Sequence, residues 1–243
     1  EHDGSYHIRG VIGPDEYHEG VDDNAYTNGM ARWNLERALA VAALLRRRWP
    51  ERWATLVRQN GLSAEELDDW LRVAAGQFPG RRSPDGVVEQ FAGYFDLEPI
   101  DLAAYATRTV PIDVILGHER TRRSQVVKQA DVVMLQALLW DRFPQAVQRA
   151  NFRYYEPRCW QGSSLSPAVH ALVAARLGET DLADRYFREA AAIDGDDGSG
   201  GTAAGVHLAT MGGLWQTVVF GFAGLHPSED GLAIDPHLPA HWT

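Results

Sequence analysis

Apolar side chains recur at helical spacing along most of the chain. Between Ala25 and about Arg48, the residues Met30, Trp33, Leu35, Ala38, Val41 and Leu44 fall every three or four positions, with Arg32, Glu36 and Arg37 between them. That period predicts an amphipathic helix. Pro50 stops it, because a proline ring has no N–H to continue the ladder. A shorter helix follows from about Glu51 and ends at Asn60-Gly61. Ser63-Ala64-Glu65-Glu66 has the form of a capping box and predicts a helix through Trp70 to about Ala75. The period returns from Gln125 to about Phe143, which places Lys128 and Gln129 on an apolar helix, and Pro144 divides this from a helix reaching about Arg153. Further helices are predicted over Pro167 to Leu177, Asp181 to about Ile193 and Ala203 to Phe220, with residues 194–201 as a turn.

Two stretches break the pattern. Up to about Asn24 the chain is rich in Gly, His, Asp and Tyr without a sustained period and reads as a loop. From Phe78 to Leu116 it is irregular, with Pro79-Gly80, Ser83-Pro84-Asp85-Gly86 and Pro111 as breakers, and long connections of this kind tend to be functional. Paired helices without a parallel-strand pattern indicate an all-α arrangement of helical hairpins. Near the end, Gly231 to Pro239 alternates and is broken by proline, which suggests the start of a small β element after Leu225. No period of 20–50 residues repeats, so a solenoid is not expected.

Composition narrows the function. With 243 residues and 45% hydrophobic positions, a sizeable core is expected rather than disorder. The formal net charge of -10 argues against a nucleic-acid partner held by phosphate neutralisation. Cys159 is the single cysteine, so an internal disulfide is out and a reducing cytoplasm is the expected location. The longest apolar run, around Val132 to Trp140, is interrupted by Gln136 and followed by Asp141, far from the roughly 20 residues a membrane span needs. The chain opens Glu-His-Asp without an initiating Met, and we read it as a piece of a longer polypeptide.

The densest cluster of reactive side chains is Gly13-Pro14-Asp15-Glu16-Tyr17-His18, followed by Val21-Asp22-Asp23-Asn24-Ala25-Tyr26-Thr27-Asn28. Two adjacent carboxyls on a Gly-Pro turn, flanked by aromatic and amide groups, fit a partly dry carboxyl of raised pKa, which a general acid near neutrality requires. The plainer alternative is a solvated loop whose Asp22, Asp23 and Asn24 cap the next helix.

The same residues resemble the signature of glycoside hydrolase family 65, the family of maltose, trehalose, kojibiose and nigerose phosphorylases. Further stretches agree in order: Asp85 to Tyr94 around Glu89-Gln90-Phe91, Val127-Lys128-Gln129-Ala130-Asp131, Tyr154 to Ser166 around Gly162-Ser163-Ser164, and Gly205 to Trp215 around His207. The resemblance implies that Glu16 is the general acid, that Lys128 and Gln129 reach the bound glucose, and that Ser163, Ser164 and His207 hold phosphate. Each has a plainer reading. Lys128 on an apolar helix would snorkel to solvent, the serines would cap the helix starting near Ser166-Pro167, and His207 would be a satisfied core histidine. Trp160, Trp215 and Tyr94 are candidates for stacking on sugars or for the core. The chain departs from the family at Gln161, where His is common, and at Cys159-Trp160, which bears on the acceptor and phosphate subsites.

As a whole, the resemblance implies the second half of an (α/α)6 barrel over residues 1–224 and the start of a truncated C-terminal β domain over 225–243. It implies an inverting phosphorylase that converts an α-linked glucose disaccharide and inorganic phosphate to β-glucose 1-phosphate and a sugar acceptor. No metal or organic cofactor is expected, with phosphate as the co-substrate, and no metal-ligand spacing is visible. For the full-length protein a homodimer is the family-based expectation. This piece alone is expected to be inactive and to expose half a barrel core. The alternatives are an inverting, trehalase-like hydrolase on the same scaffold, for which Glu156 is the only carboxylate near the Ser163 turn, and a non-catalytic helical toroid that binds carbohydrate.

Overall fold

The computed structural model describes residues 4–106, 110–160, 162–195, 205–228 and 231–242. Gln161, most of the 194–201 turn and the predicted helix start at Ala203 lie outside these. The described chain is mostly helical, with one small two-stranded sheet.

The opening loop leads into α1 (Ala25–Arg48), where Asn24 supplies the N-cap by accepting from Thr27 N at 2.9 Å. Next come α2 (Pro50–Asn60) and α3 (Ala64–Gly76), the latter capped by Ser63, whose Oγ accepts from Glu66 N at 3.1 Å. The irregular stretch holds 3-10 turns at Tyr94–Asp96 and Leu102–Tyr105 and two short helices, α4 (Ile112–Leu116) and α5 (His118–Arg122). Then follow α6 (Asp131–Leu138), α7 (Gln145–Tyr155), α8 (Ser166–Arg176), α9 (Thr180–Gly195) and α10 (Leu208–Gln216). A π-helical turn, Thr217–Phe222, continues α10. Strands β1 (Leu225–Ser228) and β2 (Gly231–Ile234) pair antiparallel, with Leu225 opposite Ile234.

The core gathers around α8. It is buried over most of its surface, and Ala171, Val173, Ala174 and Ala175 are fully buried, because α6, α9 and α10 all pack on it. Two glycines allow α10 and its π-turn to lie close: a Cβ at Gly213 would sit 2.6 Å from Ala168 Cβ, and one at Gly221 would sit 3.1 Å from Ala175 Cβ. Thr217 Oγ1 donates to Ala168 O at 3.0 Å and ties the same pair together. By contrast, α1 and α10 keep apolar side chains in the open, including Val41, Leu44, Leu208 and Trp215.

Three sequence expectations need correction. Residues 125–130 are not helical, so Lys128 and Gln129 are not on a helix. The segment runs extended: Gln125 N donates to Glu98 O at 2.8 Å, Val127 N to Arg158 O at 3.0 Å, and Trp160 N to Val127 O at 2.9 Å. The adjacent residues Val126 and Val127 are both fully buried, in two different apolar clusters. An extended segment covered on both faces loses the alternation of a strand and can imitate helical spacing. His207 likewise precedes α10 instead of lying on it. Of the three residues read as caps, only Asn24 bonds as one: Asp22 accepts from Gly10 N at 2.9 Å, and Asp23, in the left-handed region at φ 52°, accepts from Asn28 Nδ2 at 3.2 Å and faces His7.

Candidate active site

The opening loop doubles back on itself, with Val11 and Val21 exchanging backbone hydrogen bonds of 2.9 Å. Its buried anchor is Asp15, 1% exposed. Asp15 Oδ1 accepts from Lys128 N at 2.9 Å and Tyr17 N at 3.2 Å. Asp15 Oδ2 accepts from Gln90 Nε2 at 2.9 Å and lies 2.7 Å from His18 Nδ1. A second buried carboxylate backs it: Asp131 Oδ1 accepts from Asp15 N at 2.7 Å, and Asp131 Oδ2 accepts from Asn24 Nδ2 at 2.5 Å. Burial, reinforced by the charge of Asp15, pushes the Asp131 carboxyl up to about 8, against the pull of those two donors. His18 Nε2 lies 3.0 Å from Ser124 O, and since a carbonyl only accepts, that nitrogen carries a proton.

Glu16 points the other way. Its side chain is 57% exposed, and Oε2 lies 2.5 Å from Lys128 Nζ. The sequence led us to expect a carboxyl dried by aromatic neighbours. Instead Tyr17 turns toward α4, where its hydroxyl donates to Asp113 Oδ1 at 3.2 Å, and burial together with Asp113 raises the phenol. Glu16 stands on the edge of a cavity of about 360 Å³ walled by Ile12, Met134, Leu165 and Val169, with Gln129 also in the lining.

Gln129 Nε2 donates to Ser163 Oγ at 2.9 Å, while its buried Oε1 has no partner among the described residues. Ser163 Oγ also accepts from Leu165 N at 3.3 Å, and Ser166 Oγ donates to Lys128 O at 2.9 Å, which fixes the start of α8 against the Lys128–Gln129 segment. Ser164 reaches α10 through its backbone, its carbonyl accepting from Thr210 Oγ1 at 2.8 Å. His207 precedes that first turn. Its ring Nδ1 lies 2.7 Å from Asp194 Oδ1 and its N–H donates to Asp194 Oδ2 at 2.8 Å, so the residue is an exposed partner of Asp194 and not a core histidine.

The structure therefore joins Glu16 to Lys128 and Gln129 to Ser163, and links Ser164 to the first turn of α10. It shows His207 bonded to Asp194 rather than to either serine. Tyr94 is fully buried, with its hydroxyl donating to Gln125 O at 2.8 Å, and Trp160 packs beside Val126, so both serve the core. Trp215 is exposed and packs edge-on to Phe220. Glu156 accepts from Tyr186 Oη at 2.5 Å and so faces α9. Sequence reasoning missed the scaffold of Asp15, His18, Gln90 and Asp131. The only local signal was the density of polar residues beside Glu16, since Gln90 and Asp131 lie 75 and 116 positions from Asp15.

Comparison with known proteins identifies the family. Residues 1–216 match the profile of the glycosyl hydrolase family 65 central catalytic domain. The chain is 38% identical over 237 residues to the kojibiose phosphorylase of Halothermothrix orenii, covering 98% of this chain and 30% of that protein. It is 38% identical over 248 residues to the 1,2-alpha-glucosylglycerol phosphorylase of Bacillus selenitireducens, covering 98% and 32%. It is 35% identical over 241 residues to the alpha,alpha-trehalose phosphorylase of Geobacillus stearothermophilus, covering 99% and 32%. A solved chain described as a kojibiose phosphorylase from the human microbiome superimposes with a TM-score of 0.86 at 28% identity, over 97% of this chain and 32% of that one. The chain thus spans about a third of the length of the relatives it matches. It belongs to glycosyl hydrolase family 65, whose central catalytic domain it carries in part.

Proposed function

We propose that the protein carrying this chain is an inverting phosphorylase of α-linked glucose disaccharides, with Glu16 as its general acid. The observation that carries the reading is the placing of carboxylates around the cavity. Among the described residues that line it, Glu16 is the one acid. Asp15 and Asp131 are engaged in internal hydrogen bonds, and Glu156 faces α9. An inverting hydrolase needs a second carboxylate, roughly 6.5–9.5 Å from the first, to activate water. Phosphate is already an anionic nucleophile and needs no such base.

In this reading Glu16 protonates the glycosidic oxygen as the bond to C1 breaks. Phosphate attacks C1 from the opposite face, which turns an α-glucoside into β-glucose 1-phosphate. Lys128 exchanges its bond to Glu16 for sugar hydroxyls, and Gln129 Oε1, without a partner among the described residues, accepts from another hydroxyl. Ser163, Ser164 and His207 hold the phosphate near the start of α8, where free backbone N–H groups favour an anion. Phosphate is a co-substrate, and the reaction as written uses no other cofactor. The helices form the second half of an (α/α)6 barrel, and the open apolar faces of α1 and α10 are where its remaining helices pack. The two-stranded element begins a C-terminal β domain. The whole protein is read as a cytoplasmic homodimer, and this chain by itself as inactive.

The test is a panel of α-linked glucose disaccharides given to the whole protein with and without inorganic phosphate. The expected result is phosphate-dependent β-glucose 1-phosphate, lost in Glu16→Gln. Glucose release indifferent to phosphate would overturn the phosphorylase reading in favour of a hydrolase.

A further inference from the structure

We infer that Asp15 is the positioning residue of the active site, fixing Glu16 and Lys128 relative to each other through a saturated, buried carboxylate. The inference rests on the reading of Glu16 as the acid. Its basis is geometric. A carboxylate offers about four lone-pair sites, and all four face partners here: the N–H groups of Lys128 and Tyr17 on Oδ1, Gln90 Nε2 and His18 Nδ1 on Oδ2. Two of these are backbone groups of site residues or their direct neighbours. Tyr17 N is the peptide immediately after Glu16, and Lys128 carries the ammonium that meets Glu16 Oε2 at 2.5 Å.

One side chain therefore ties the acid's own peptide to the extended segment on which the sugar-binding Lys128 and Gln129 stand, 113 residues along the chain. The far side of that side chain is held just as firmly. His18 spans Asp15 Oδ2 and Ser124 O, and Gln90 spans Asp15 Oδ2 and Asp131 N, the latter at 3.3 Å. Asp15 is buried at 1% exposure with no free lone pair, so it has no route to substrate. Its effect on the chemistry passes through Glu16. An exposed glutamate on a loop samples several rotamers and backbone positions, and a displacement of about 1 Å from a productive geometry costs on the order of 100-fold in rate. Fixing the peptide after Glu16 and the backbone of Lys128 limits that freedom.

A positioning role and a merely structural one separate on the leaving group. With a disaccharide, the C1–O bond breaks and the departing oxygen takes a proton from Glu16. With α-glucosyl fluoride, a phosphate oxygen forms the new bond to C1, the C1–F bond breaks, and fluoride leaves with its electron pair without needing that proton. Both substrates place the same glucose in the same subsite. Loss of folded protein, or weaker glucose binding through Lys128, therefore lowers both rates alike and cancels in their ratio.

The experiment measures phosphorolysis of a cleaved disaccharide and of α-glucosyl fluoride by the whole protein, with Glu16→Gln as reference. Glu16→Gln is expected to lose over 100-fold on the disaccharide and less than about tenfold on the fluoride. Asp15→Asn, which sets an NH2 against Gln90 and His18, is expected to follow the same selectivity, with about a 100-fold loss on the disaccharide. His18→Gln disturbs only the Oδ2 side and decides the matter if Asp15→Asn does not fold, with a smaller loss of the same selectivity. An equal fall on both substrates, or no fall on either, would overturn the positioning role. If Glu16→Gln itself lowers both rates equally, the assignment of the acid fails, and the inference with it.

Discussion

Adding one methyl group at Gly13 tests the whole account of the loop. The backbone there lies outside the left-handed region, so alanine carries no conformational penalty of its own. The obstacle is space. A Cβ on Gly13 would lie 2.6 Å from Asn24 Nδ2 and 3.0 Å from Asn24 Cγ, and closer still to Asp131 Oδ2. Neither neighbour is the loose end of a surface side chain, because both residues are 1% exposed and bonded to each other. If they part, a buried hydrogen bond is broken and its groups are left unpaired, at a cost of about 1–3 kcal/mol, and the Asn24 cap of α1, worth about 1 kcal/mol, is strained. The expected cost of Gly13→Ala is thus about 3 kcal/mol. The thermal midpoint of the whole protein falls accordingly. If the loop yields instead, Glu16 moves with it and turnover falls by about 100-fold. Thermal unfolding followed by tryptophan fluorescence, beside the phosphorolysis rate, reads both outcomes in one preparation. A Gly13→Ala protein with unchanged midpoint and full activity would refute the claim that Asn24 and Asp131 hold this loop rigidly.

Two further outcomes follow from single buried groups. Asn151 is fully buried, accepts from Val88 N at 2.8 Å and donates to Gly86 O at 3.2 Å and Val147 O at 2.7 Å; Asn151→Ala should destabilise by about 2–4 kcal/mol by orphaning Val88 N–H and creating a small void, read from the shift in a denaturation midpoint, and a shift below about 0.5 kcal/mol would contradict it. His170 is fully buried, with Nδ1 2.8 Å from Ser166 O, and burial holds its imidazole below the usual range. The unfolded chain therefore takes up a proton below about pH 6.5 that the folded ring refuses, so the stability this neutral ring retains above that pH is lost as pH falls, by at most about 1.4 kcal/mol per pH unit. His170→Phe should flatten the acid side of the stability curve, and an unchanged slope would show that the ring accepts its proton in place.

Much of the helical frame was legible because it is written locally. Pro50, the Ser63 cap and Pro144 end or start helices through their own backbone chemistry, and α1, α3, α7, α8 and α9 appear close to where the period of apolar residues puts them. The family signature around Glu16 and the strand Gly231–Ile234 were legible for the same reason, their residues being neighbours in the chain, whereas the strand Leu225–Ser228 that pairs with it was not read from the sequence. Tertiary structure decided the rest. Whether Val126 and Val127 belong to a helix or to an extended segment depends on apolar clusters built from Ile112 on one side and Cys159 on the other. Asp131 looks from sequence like the polar start of an apolar helix, and only folding brings it to Asp15, where burial and charge change its chemistry. Glu16 was named by its motif, but its exposure and its bond to Lys128 are set by a segment 112 residues away. Local sequence fixes backbone preference through sterics and capping, whereas burial, and with it the protonation and aim of a side chain, depends on which distant segments close over it.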